Sequence, residues 1–271
     1  MISQDRACKN SIFFSLHGPA LYGFNDVSAP QILGVYTYFV PEAHFTKEIP
    51  EFRFNGTVKE VESGDITIFH FILYPLEKFF RLFLKGDIDV IETLFSISDK
   101  QNESMIFTTP EVKIIMEKRS KLLGQNAILR LWQYAKWQKS RIKINPKDYK
   151  AKKAAVECAE YKYNAVAAVN TARVLTECHL LFRDGCLSYP LRNIDDLTDI
   201  KNHRWSLSRV SDYIEGLERK CCEKIKGKKI LPGAEFKMLD EFYREIVGRG
   251  LPLSVWLETK NSGSFGEVGN A

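Results

Sequence analysis

HGPALYGFNDVSAPQILGVYTYFVP, residues 17–41, decides how the first part of this chain folds. The apolar run SIFFSL (11–16) precedes it and reads as a buried strand, because aromatic and β-branched residues pack well on a pleated surface. Gly18, Pro19, Gly23, Asn25 and Asp26 then turn the chain. QILGVYTYFV (31–40) reads as a second strand and ends at Pro41.

Working outward, Pro41 and Pro50 bracket an irregular segment, and DITIFHFIL (65–73) reads as a third strand. The period then changes. In PLEKFFRLFLKG (75–86) a proline opens the run and Gly86 closes it, and Leu76, Phe79, Phe80, Phe83 and Leu84 recur at helical spacing. DIDVIETLF (87–95) follows as a short helix, and 111–143, 147–183, 206–227 and 234–248 read as helices. RDGCLSYP and KGKKILPG break that helical half. The expected fold is α+β. A small mixed palm-like sheet with flanking helices spans 1–110, a mainly helical domain spans 111–258, and a loose polar tail spans 259–271.

The 271 residues suffice for a full core, and 45% hydrophobic with 27% charged residues is the balance of a globular protein. A net charge of +5 permits a polyanionic partner without requiring one. Six cysteines with no CxxC spacing read as free thiols of a reducing cytoplasm. The N-terminus lacks a signal-like apolar run, and no segment approaches the ~18 apolar residues of a membrane span. Five scattered histidines lack HxH or HxxxH spacing, so no zinc site is expected, and no cofactor is expected either.

The order of these elements resembles the predicted nucleotidyltransferases of the DNA polymerase β-like superfamily, in the branch associated with RNA ligases and frequent in phages. That branch reads G-S-x-x-Y-G, then S-D-x-D-x-x-G-V, then L-x-K-F-x-R-L-x-L-K-G. LEKFFRLFLKG (76–86) is similar to the last of these, and YAKWQK (134–139), YNAVAAVNTARVLTECHLLF (163–182) and ILPG (230–233) are similar to later elements. The resemblance covers about residues 10–248.

In that superfamily, two strand aspartates at i and i+2 share a face and, with a third acid, hold Mg²⁺ for nucleotidyl transfer. This chain keeps Gly18, Tyr22, Gly23, Ser28, Gly34 and Val35. The aspartate positions fall on Ala29 and Gln31, and the serine after Gly18 is Pro19, which has no N–H for a phosphate. Asp65 is the candidate surviving third acid. The family's lysine falls on Val166 and its histidine on Asn170, while Arg173 remains. The resemblance therefore implies a pseudo-nucleotidyltransferase without catalytic residues, whose remnant nucleotide pocket comprises His17, Gly18, Tyr22, Ser28, Gln31, Asp65 and Arg173. His70, on an aromatic strand, reads as a packed core histidine, and a structural ion pair is the default role of Arg173.

The strongest charge feature is WQYAKWQKSRIKINPKDYKAKK (132–153). Trp132, Lys136, Trp137, Lys139, Arg141, Lys143, Lys147, Lys150, Lys152 and Lys153 interleave cations with aromatic rings. Cations neutralise phosphates and flat rings stack on bases, which is what single-stranded nucleic acid needs. The same residues also read as a solvated helix face with Trp137 packed inward. The expected function is nucleic-acid binding, RNA in preference to DNA. The alternatives are an active metal-dependent nucleotidyltransferase with Asp26 or Glu42 as replacement ligands, or an assembly factor that holds a protein partner. No membrane partner is expected.

Overall fold

The computed structural model describes residues 4–24, 30–37, 51–59, 66–97, 105–110, 112–143 and 161–227. They form two compact units. Described residues up to Phe83, with Asp89–Leu122, belong to the first; Leu84–Ile88 and those from Leu123 onward belong to the second.

The first unit is built on a mixed five-stranded sheet. β1 (Ser11–His17), β2 (Gln31–Tyr36), β3 (Phe52–Lys59), β4 (Ile66–Pro75) and β5 (Met105–Thr108) lie in the order β3-β4-β2-β1-β5. β2 and β4 are parallel; the other pairs are antiparallel. β1 and β2 follow their apolar, β-branched sequence. β3 and β5 are additions to the sequence reading. Single polar residues interrupt β3, and its pairing with β4 along all eight residues is what makes it a strand.

Alternation sorts the two sheet faces. On one face Phe13 meets Phe79 edge-on at 5.9 Å, and Ser15 Oγ lies 2.6 Å from Ser96 Oγ. Phe79 belongs to α3 (Leu76–Leu84) and Ser96 to α4 (Ile88–Ser96). α3 buries Leu76, Phe79, Phe80 and Phe83, the stripe legible in its sequence. α4 is buried along its whole run from Val90 to Ser96, including Glu92, Thr93 and Ser96. On the opposite face Phe54 stacks on Phe71 at 5.0 Å and Phe14 meets Phe71 edge-on at 6.0 Å. Ala7 of α1 (Gln4–Lys9) closes that side against Tyr36 and Leu73.

β1 leads into α2 (Pro19–Tyr22). Pro19 supplies the preset φ of its first residue, and Gly23 ends it at φ +101°. α5 (Val112–Leu122) completes the described part of this unit.

The second unit is helical. α6 (Gln125–Ser140), α7 (Ala165–Asp184), α8 (Ile194–Lys201) and α9 (Leu207–Gly227) are its described helices. The expected helix over 111–143 is two helices, because Leu123 and Gly124 interrupt it. α7 starts at Ala165, where Asn164 accepts the N–H of Ala167 at 3.1 Å, and ends at Gly185 with φ +69°. Ala168, Ala172, Leu175 and Cys178 are fully buried because α6 and α9 both pack on α7. A sheet unit and a helical unit together make the fold α+β. The expected helical reading of 147–160 and 234–248 lies outside the described residues.

Candidate functional site

In the first unit, register builds a polar row across one end of the sheet. His17 pairs with Gln31, Gln31 with His70, and His70 with Asn55. All four therefore lie on the face that carries α3 and α4. His17 is buried, with Nε2 at 3.5 Å from Asp89 Oδ1 of α4. Gln31, His70 and Asn55 are exposed. His70 Nδ1–H donates to Asn55 Oδ1 at 2.6 Å, so Nε2 is the acceptor in the neutral ring. His70 is thus not the packed core residue its aromatic neighbours suggest. Phe69 and Phe71 share the other sheet face, and only a strand reading with β3 beside it reveals that.

The turn beside this row brings part of the expected pocket together. Gly18 has φ +65° and ψ −144°, a region essentially reserved for glycine, and a Cβ built there would stand 3.3 Å from Gln31 Oε1. The Tyr22 hydroxyl donates to the buried Glu92 at 2.5 Å. Beyond Asn55, Glu51 accepts from Lys78 at 2.7 Å and Arg53 at 3.0 Å. The Lys78 hydrogen bond is the main cause that holds Glu51 below the usual carboxylate range, with Arg53 adding to it against the opposing effect of burial. The four side chains of the row are amides and imidazoles, with the Asp89 carboxylate beside His17 at one end. Amides and imidazoles suit uncharged hydrogen-bonding edges better than a hard cation. Among the described residues no group of three or more His, Cys, Asp or Glu could hold a metal. Ser28, Ala29 and Asp65 lie outside the described residues.

Arg173 belongs to the second unit. It is buried on α7, and Nη1 donates to both carboxylate oxygens of Glu177 at 3.2 Å. Tyr189 Oη donates to the same carboxylate at 3.2 Å. This is the structural ion pair expected by default, and the i, i+4 spacing of Arg173 and Glu177 is its signal in the sequence. Val166 is 67% exposed and Asn170 is half-buried.

The described part of the basic and aromatic run, 132–143, lies on α6 and its C-terminal turn. Trp137 is 53% exposed, so it is not a core residue. The Arg141 guanidinium sits 4.6 Å from its ring centroid, and Tyr134 leans on it at 5.7 Å. The Lys136 ammonium lies 3.6 Å from the Trp132 centroid. Both cation–ring pairs are spaced i, i+4, so the helix sets them without tertiary help. Lys139 differs: its ammonium is 2.6 Å from Glu218 of α9, which neutralises it. Lys136 and Lys143 are exposed. Lys147, Lys150, Lys152 and Lys153 lie outside the described residues. Sequence reasoning missed Asn55, Asp89, Glu92, Glu177 and Glu218, each defined by a partner distant in sequence or by burial.

No family model matches the chain, and neither a curated protein nor a solved structure does. No described helix is long and apolar enough to cross a membrane.

Proposed function

We propose that this chain binds single-stranded nucleic acid, RNA in preference to DNA, through the α6 surface, and that its sheet unit is a palm-like, nucleotidyltransferase-like scaffold that does not transfer nucleotides. One observation carries the reading: Trp137 stands 53% exposed with Arg141 laid on its ring. An indole held at the surface with a cation beside it offers a base a stacking surface and a phosphate a partner. Lys136 on the half-buried Trp132 repeats the cation–ring pair, though not the exposed ring, five residues earlier and ~140° around the helix. The non-catalytic half of the reading is supported by Gln31, which stands where the resemblance puts an acid and is flanked by His17 and His70.

Filter binding of a labelled single-stranded RNA over a salt series tests it. Log affinity should fall linearly with log salt, with a slope of about −0.7 per phosphate engaged. Charge reversal of Lys136, Arg141 and Lys143 should flatten that slope, and single-stranded DNA of the same length should bind more weakly. Salt-independent or absent binding overturns the binding half. Incorporation of labelled nucleotide with Mg²⁺ or Mn²⁺ overturns the non-catalytic half, and co-purification of a protein insensitive to ribonuclease, with no RNA bound, favours the assembly role.

A further inference from the structure

Three rings pack outward from the core of the second unit, the outer two of them stacked. Tyr163 is buried, and its hydroxyl donates to the Ile200 carbonyl at 3.1 Å. The His203 ring lies 5.0 Å from Tyr163, and Tyr161 stacks on His203 at 3.9 Å with the planes 15° apart. Tyr161 is 41% exposed. The chain adopts positive φ on both sides of this stack, +67° at Lys162 and +55° at His203. Such conformations in non-glycine residues persist where the surroundings fix them. His203 N–H donates to the Ile200 carbonyl at 3.1 Å, just past the end of α8. The Tyr161 ring is therefore held flat against His203 before any ligand arrives.

This stack adjoins the end of α6. The Asn164 N–H donates to the Ile142 carbonyl at 3.0 Å, which ties the segment that carries Tyr161 to the one that carries Arg141 and Lys143. Lys162, beside Tyr161, is exposed. Of the four exposed large hydrophobic side chains among the described residues, Trp137 and Tyr161 are the two aromatic ones.

We infer that Tyr161, stacked on His203, is a second base-stacking platform that continues the Trp137–Arg141 surface along one single-stranded nucleic acid. The inference rests on the nucleic-acid reading above and adds a subsite to it. Lys143, exposed just past the end of α6, supplies a phosphate contact beside them. A stacking platform tolerates any base but requires one, and that requirement separates it from a purely electrostatic surface.

The test is fluorescence anisotropy of the full chain with a labelled 12-mer oligouridylate and with an abasic phosphodiester of the same length. Tyr161→Ala should weaken oligouridylate binding by about 5- to 100-fold, the range that loss of one base stack implies. It should leave abasic binding within about twofold, and Tyr161→Phe should bind both as the wild type does. Tyr161→Leu, which keeps the bulk without the ring face, should reproduce the alanine effect, with circular dichroism melting reporting the fold of each variant. Equal binding of oligouridylate by Tyr161→Ala and wild type, or equal loss for both oligomers, overturns this inference and leaves the α6 reading standing. A wild-type protein that binds neither oligomer ends both.

Discussion

The Tyr22 hydroxyl donates to the Glu92 carboxyl at 2.5 Å, between a four-residue helix and a helix buried from Val90 to Ser96. A carboxyl with no exposed surface depends on such donors, because burial strips it of water.

Tyr22→Phe removes one donor from that buried carboxyl. Urea unfolding should show a loss of about 1–3 kcal/mol, the cost of leaving a buried polar group short of a partner. Tyr22→Phe in a Glu92→Gln background should cost less, because the glutamine oxygen asks less of its donor. A full-size loss in both backgrounds would mean that Tyr22 acts through packing alone.

Arg173 and Glu177 form the second buried polar pair, and each is at most 5% exposed at its side chain. Arg173→Met should destabilise by about 3–5 kcal/mol, since it strands a buried charge. Arg173→Met with Glu177→Leu should recover most of that. A double variant as unstable as the single one rules out charge stranding as the cause.

Gly34 is packed under aromatic rings. A Cβ there would fall 2.5 Å from the Phe14 ring and 2.9 Å from Leu73. Gly34→Ala should cost about 1–3 kcal/mol through overpacking. Phe14→Leu in the same chain should lower the cost of the alanine, and additive losses would place the strain elsewhere.

Burial pushes the Cys221 thiol from 9.0 up to about 12 and the Tyr213 hydroxyl from 10.0 up to about 12. Both groups hold their protons more tightly folded than unfolded. Their contribution is therefore complete below pH 9 and is lost as pH rises from 9 towards 12. Unfolding midpoints should fall across that window, and less so in Cys221→Ala. In the native state a thiol reagent should modify the exposed Cys186 well before the buried Cys178 and Cys221.

On the proposed reading, Lys139 and Arg141 should differ although both are cations of one run. Lys139→Gln leaves Glu218 unpaired and removes a charge already neutralised, so the salt slope of RNA binding should barely change. Arg141→Gln should lower the slope by up to about one phosphate and weaken stacking at Trp137.

Local physics determined what the sequence alone could tell. The strands over Ser11–His17 and Gln31–Tyr36, the turn between Gly18 and Gly23 and the apolar stripe of Leu76–Leu84 all depend on neighbours within one turn or one pleat. Tertiary structure decided the rest. β3 exists as a strand because β4 pairs with it, and His70 reaches solvent because the pleat and Asn55 turn it that way. Glu92 is tolerable in a buried helix because Tyr22 arrives from 70 residues away. Lys139 is neutralised by Glu218, 79 residues away, and Tyr161, which the sequence reading did not single out, is stacked by His203, more than 40 residues away. Side-chain periodicity is written in one dimension, whereas burial and pairing are settled only when distant segments meet.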